Sequence, residues 1–520
     1  MPAPSRAARP ARSSGFQLLA TVLAAAAAGL IVFHGALVYF FSQDDFLGLA
    51  RAGGLAPRLT GPWRFLSHQV IFDVMRPLAG LDAALYHLVS LASHTACAAL
   101  LATFLARRVS APAALLGAVF LATHPALFAA VYWLSAVGDS LALLFALAAL
   151  MLALRADRLR WIALPVFALS LLAKESTLML PAVVALAGRL DPTTRGAPPR
   201  GRTAVCLGLT AIALAYAVAF ATGDAFAVRG GLPAAAPYAF GVGAHIGANA
   251  LTYLGWTVTF LLPLVIRFGD AVDPTVIPWA MGALVLWLMG LASRRLRRTG
   301  WVMGGAIWLL FLLPVLGLKN HTYHYYLYAP LAGAAWCVAA AADCFVPRGR
   351  TAWAVAGAVA ALLTLNGALL VRKIEFMPFV LPGLRAESIV DRARIARNVQ
   401  RDLGAVTLPP GVTLHFWSPT AASLGPRGER LAMPARGATY WERNVREALL
   451  AGLAVRVMFP QVADVHFVRE LPPTPGNEWY AAYLPDGRVR VFTPAEVDSI
   501  SSRRTDTGEK REVDEDQPPK

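Results

Sequence analysis

The sequence predicts an α-helical polytopic membrane protein of about 11 to 13 transmembrane helices, followed by a small C-terminal α+β soluble domain. Three observations carry that expectation. Of 520 residues, 57% are hydrophobic and only 15% are charged, too apolar a balance for a soluble chain of this length. Long uncharged runs lead into Asp44, Arg107, Arg155, Arg294 and Arg348, near the roughly 20 residues that a helix needs to cross about 30 Å of hydrocarbon. Past Arg372 these runs stop and shorter amphipathic and alternating patterns take over.

Residues 1–15 carry Arg6, Arg9 and Arg12 and read as a cytoplasmic segment ahead of the first helix. The apolar run 16–41 is long for a signal-peptide core, so it reads as a retained helix. It ends at Asp44-Asp45, two adjacent carboxylates where a helix leaves the bilayer. Charges there are costly unless a site uses them, although a polar helix end facing water is the plain alternative. An external loop, 42–76, follows with Arg51, Arg58, Trp63, Arg64, His68, Asp73 and Arg76. Further helices are expected over 78–106, from Ala113 to His124-Pro125, and over 139–154. His87 and His94 are seven apart and share a helical face, as a site or as a packed polar stripe.

The run 161–190 is interrupted by Lys174-Glu175. Charges in such apolar surroundings must be paired or watered, and adjacent helical residues do not face each other. Lys174 therefore meets either an anionic ligand or a distant carboxylate such as Asp139. One helix through 161–190 places the arginines of 189–202 outside; a short hairpin keeps them inside. The arginines at 294, 295, 297, 298, 348 and 350 ask to be cytoplasmic, which favours about eleven crossings and puts the cluster His321 to Tyr328 outside. A re-entrant piece over 222–244 satisfies both sets of charges.

The net charge of +16 arises largely from these inter-helix loops, so topology explains it and nucleic acid is not implied. The four cysteines show no metal-type spacing and no disulfide framework. After 373 the pattern of Ile389, Ala396, Val399 and Leu403 predicts a helix, Val412 to Phe416 alternates as a strand, and Asp486-Gly487 marks a hairpin turn. The soluble α+β domain is expected over 373–500 on the extracytoplasmic side, and the charged tail 501–520 reads as disordered.

In order, Asp44-Asp45, Arg76-Pro77, His94, His124-Pro125, Trp133-Leu134-Ser135 with Asp139, Leu171-Leu172-Ala173-Lys174-Glu175, and Tyr326-Leu327-Tyr328-Ala329-Pro330 form a series. It resembles the GT-C superfamily of multipass glycosyltransferases, and within it the bacterial relatives of the protein O-mannosyltransferases and the transmembrane-and-TPR O-mannosyltransferases. The resemblance covers roughly the first 345 residues. It implies a GT-C-like membrane domain over 16–372 in a bacterial inner membrane. It also implies transfer of a sugar from a polyprenyl-phosphate donor to a protein or glycan acceptor on the non-cytoplasmic face. Asp45 and Asp44 become the catalytic candidates, and Lys174, Arg76 and Arg64 the phosphate-binding ones. His124, Trp133, Asp139, Glu175, His94, His324, Tyr326 and Tyr328 become substrate-binding candidates, with the lipid-linked sugar as substrate and no metal indicated.

The series departs from the family at Val137 and Tyr325, where the family has arginine, and at Ala129, where many members have glutamate. Arginine recognises phosphate through two parallel hydrogen bonds, so either Arg64, Arg76, Lys174 or Arg229 substitutes for the missing arginines, or the donor head group differs. Two other readings stay open: a transporter or flippase for a lipid-linked saccharide, and a catalytically degenerate scaffold that presents the C-terminal domain.

Overall fold

The computed structural model describes residues 14–190, 199–222, 239–259, 274–347, 349–378, 387–417, 435–469, 478–484, 486–492 and 495–497. The expectations placed on Arg6, Arg9, Arg12, Arg229, most of 222–244 and the tail 501–520 lie outside the described residues.

The first helices are α1 (Gly15–Phe33), α2 (Asp45–Ala52), α3 (Ile71–Ala79), α4 (Ala83–Ala106), α5 (Ala111–Thr123), α6 (Phe128–Tyr132) and α7 (Val137–Ala153). Then come α8 (Ala163–Ala173), α9 (Leu180–Leu190), α10 (Pro199–Thr222), α11 (His245–Val258), α12 (Ile277–Ala292) and α13 (Arg294–Arg298). The series closes with α14 (Trp301–Leu316), α15 (Tyr328–Phe345), α16 (Arg350–Phe376), α17 (Ser388–Gly404), α18 (Ala435–Ala448) and α19 (Leu453–Met458). The strands are β1 (Val412–Trp417), β2 (Val462–Val468), β3 (Trp479–Tyr483) and β4 (Val489–Phe492).

Contacts divide the chain into two units: Met1–Tyr39 with Pro57–Phe376, and Phe40–Ala56 with Met377–Lys520. The first is a helical multipass membrane unit. Among the described residues, six helices are long and apolar enough to cross a membrane, or seven if the bent pair Ala111–Ala122 and Pro125–Tyr132 is one span. Leucines and other large apolar residues of α1, α10, α12 and α16 point outward, Leu214, Leu286 and Leu365 among them. A helix face of that kind suits lipid, where every backbone polar group is bonded within the helix. The interior is built around α5, buried along its whole length, with α1, α4, α15 and α16 against it. Gly304 of α14 and Gly333 of α15 let two backbones approach without a side chain between them.

The expected run 161–190 is two short helices. Lys174 is extended (φ −165°, ψ 147°) and ends α8, and a single turn over Glu175–Thr177 leads toward α9. Leaving the helix at Lys174 lets two adjacent charges find different partners. It also frees the Ala173 carbonyl, which accepts the Ser67 hydroxyl at 2.7 Å. Of the region 42–76, expected as a loop, 45–52 and 65–76 are helical, with one wide turn at Leu66–Val70 running into α3.

The second unit holds a four-stranded sheet in the order β2-β1-β3-β4. β1 runs parallel to β2 and β3, and β3 and β4 form the antiparallel hairpin that Asp486-Gly487 announces. Leu414, Phe416 and Ala481 face one core, and Ile389, Ala396, Val399 and Leu403 of α17 are buried as their spacing requires. Helix α2 belongs with this unit, because Phe46, Leu49 and Ala50 are fully buried and α2 packs on α19. The border drawn after 372 from composition thus falls at Phe376, and Phe40–Ala56 changes sides.

Candidate functional site

In the membrane unit, four charged side chains from three chain segments meet. Lys174 Nζ lies 2.5 Å from Asp139 Oδ2, with side chains 5% and 1% exposed. Asp139 sits in the first turn of α7, where the helix dipole favours a negative charge. Beside this pair, Arg64 donates to Glu175 twice, through Nη2 to Oε1 at 2.8 Å and Nε to Oε2 at 3.3 Å. This is the two-pronged geometry that lysine cannot make. The Arg64 backbone is left-handed (φ 51°), a conformation that arginine adopts only when its surroundings demand it.

Aromatic rings complete the wall. The Lys174 ammonium lies 4.8 Å from the Tyr325 ring centre and 5.2 Å from that of Tyr326, within cation–π range. Arg64 stands 4.9 Å over Trp63, and Trp133 meets Tyr325 edge to face at 6.2 Å. His321 Nδ1 is 3.0 Å from the Tyr326 hydroxyl. Close packing holds the wall in place: His68 Nε2 bonds to the Ser135 carbonyl at 3.0 Å. A methyl on Gly138 would stand 2.7 Å from the Ala173 carbonyl oxygen and 2.9 Å from Ser67 Oγ.

Deeper in the bundle, His94 Nε2 lies 3.0 Å from the Ala122 carbonyl and Nδ1 lies 2.7 Å from the Tyr328 hydroxyl. A carbonyl only accepts, so Nε2 carries the proton, Nδ1 is the acceptor, and Tyr328 donates to it. His124 is fixed by the same logic. Its Nδ1 accepts the Ala126 amide at 3.2 Å, so Nε2 donates to the Thr257 carbonyl at 3.2 Å. His324, 1% exposed, meets Trp256 edge to face.

In the second unit, Asp44 and Asp45 have different surroundings. Asp44 is exposed at the start of α2, while Asp45 is 1% exposed and its Oδ2 accepts the Ser42 amide at 2.9 Å. Burial holds the Arg51 guanidinium below its usual range, against the pull of Asp44. Among the described residues, no three His, Cys, Asp or Glu side chains converge as metal ligands.

No protein-family model and no curated protein matches this chain. Solved structures that match include the crystal structure of ArnT from Cupriavidus metallidurans bound to undecaprenyl phosphate. It is 12% identical, covers 90% of this chain and 93% of that chain, and has a TM-score of 0.46.

Of the residues that the sequence singled out, Lys174, Glu175, Asp139, Arg64, Trp133 and Tyr326 come together in one cluster. His94 and Tyr328 form a pair of their own, and His124 and His324 are tied to α11. Arg76 is half-buried near the end of α3, and the arginine that pairs with Glu175 is Arg64. Sequence reading left Ser67, His68 and Tyr325 without a role. Tyr325 carried a signal: it stands where the resemblance expects arginine, and its ring lies against the Lys174 ammonium.

Proposed function

We propose that this chain is a GT-C-like, inverting glycosyltransferase of a bacterial inner membrane. It would move a sugar, a hexose such as mannose, from a polyprenyl-phosphate donor to a protein or glycan acceptor on the non-cytoplasmic face. One observation carries the reading: two cations and two carboxylates, lined by Trp63, Trp133, Tyr325 and Tyr326, are kept inside an apolar helical bundle. Burying charges costs several kcal/mol per ion before pairing offsets it, and in membrane segments such groups mark functional sites.

On this reading Lys174 and Arg64, with Arg76 as the third basic candidate, serve the donor phosphate, and the isoprenoid tail lies in the bilayer. An acceptor hydroxyl oxygen bonds to the anomeric carbon while the bond from that carbon to the phosphate oxygen breaks. The electron pair stays on the phosphate, and the hydroxyl proton passes to a carboxylate. Fixed positive charge beside the leaving phosphate stabilises the transition state. The sequence resemblance alone assigns the proton to Asp45, with Asp44 beside it.

The test uses the full chain in lipid nanodiscs with a panel of polyprenyl-phosphate hexoses, following release of polyprenyl phosphate and labelling of membrane acceptors. Asp45→Asn and the double variant Lys174→Met/Asp139→Leu should fold and lose transfer. Normal transfer in both would sink the assignment, and movement of uncleaved donor across the bilayer would favour a transporter.

A further inference from the structure

The charges of the cluster cancel, two cations against two carboxylates, and each cation has a partner inside the protein. Lys174 is the more enclosed of the two: Asp139 holds its ammonium at 2.5 Å, and the Tyr325 and Tyr326 rings flank it. An ammonium has three donors, but its single positive charge is already met by a carboxylate in a medium where that attraction is strong. A phosphate arriving at Lys174 therefore meets Asp139 as a like charge at the same cation. We infer that Asp139 competes with the donor phosphate for Lys174 and so sets the affinity of the site for it, as a built-in carboxylate that a phosphate must displace.

Glu175 does the same for Arg64 to a smaller degree, because that pair is more exposed, 14% and 23% against 5% and 1%, and water screens it. The inference rests on the reading of this cluster as the donor-phosphate site. It adds that the carboxylate most deeply buried in the cluster weakens donor binding. A phosphate-binding residue would strengthen it. Asp139→Asn keeps the size of the side chain and an oxygen that can accept from Lys174, and removes the competing charge.

The experiment measures binding of undecaprenyl phosphate to the full chain in nanodiscs, wild type against Asp139→Asn, with undecaprenol as the phosphate-free control. Size-exclusion profile and melting temperature report on folding. The expected result is roughly tenfold tighter binding of the phosphate, the scale of one charge-assisted hydrogen bond, and unchanged binding of undecaprenol. Should Asp139→Asn fail to fold, Glu175→Gln carries the same expectation with a smaller gain. Phosphate binding that is no tighter in the folded variant than in wild type overturns the role of Asp139 and leaves the site reading standing. No phosphate-dependent binding in either protein overturns both. Equal tightening for undecaprenol means an effect on the lipid tail and also overturns the inference.

Discussion

Arg64 and Glu175, 111 residues apart in the chain, are joined by two hydrogen bonds of 2.8 and 3.3 Å. The pair ties the turn that leads into α3 to the break between α8 and α9. Arg64→Lys replaces a planar fork by a point charge that cannot reach both oxygens. The pair is partly exposed, so the expected loss of stability is about 1 kcal/mol. On the proposed function, the loss of transfer is larger, roughly tenfold. A melting curve and a transfer assay on the same preparation check both.

Lys174 and Asp139 are deeply buried, so breaking the pair differs from replacing it. Lys174→Ala leaves Asp139 as an unpaired buried carboxylate and is expected to cost about 3–5 kcal/mol. Lys174→Met/Asp139→Leu removes both charges and is expected to recover most of that stability. Denaturation of the two variants in the same detergent checks the difference; equal losses would mean that the pair is not the source of the cost.

Gly138 faces the Ala173 carbonyl and Ser67 with no room for a methyl group. Gly138→Ala should push the end of α8 away from α7, cost about 1–3 kcal/mol and disturb Lys174. Gly61, where nothing lies within 4 Å of the place a methyl group would take, is the control, and Gly61→Ala should stay within about 0.5 kcal/mol of wild type.

Tyr328→Phe removes the donor to His94 Nδ1 and leaves a buried acceptor alone. The expected cost is about 1–3 kcal/mol. The double variant His94→Leu/Tyr328→Phe should be less destabilised than the sum of its parts, which a thermodynamic cycle measures.

Glu387 precedes α17 in the second unit, is 5% exposed and accepts the Ile389 amide. Burial pushes its carboxyl up to about 7. Between pH near 4.5 and pH near 7 the folded form keeps a proton that the unfolded form has released, so stability falls as pH rises through that window and levels off above it. Glu387→Gln should flatten this slope and raise the stability of the second unit at pH 8 by up to about 3 kcal/mol. Hydrogen exchange at α17 amides across pH 5 to 8 reads the effect; an unchanged slope in the variant would exclude Glu387 as its source.

Much of the fold was legible because its signals are local. Hydropathy marks membrane helices residue by residue, and the spacing of Ile389 to Leu403 and the turn at Asp486-Gly487 need no distant partner. The break at Lys174-Glu175 was legible as a conflict between two charges and an apolar run. Its resolution was not, since the partners that the two charges take, Asp139 for Lys174 and Arg64 for Glu175, lie 35 and 111 residues away in the chain. The helical character of 66–79 was also hidden, because Leu66–Val70 forms a wide turn that no simple period describes.

By itself the sequence determined the membrane class and the residues whose charge demands a partner, since burial of charge in apolar helices is costly wherever it occurs. Only the tertiary structure decided the partners. It paired Lys174 with Asp139, gave Glu175 to Arg64, set Tyr325 against the ammonium, and left Asp44 exposed while burying Asp45. The physical reason is that a charge states its need locally, whereas the group that meets it is delivered by helix packing between segments far apart in the chain.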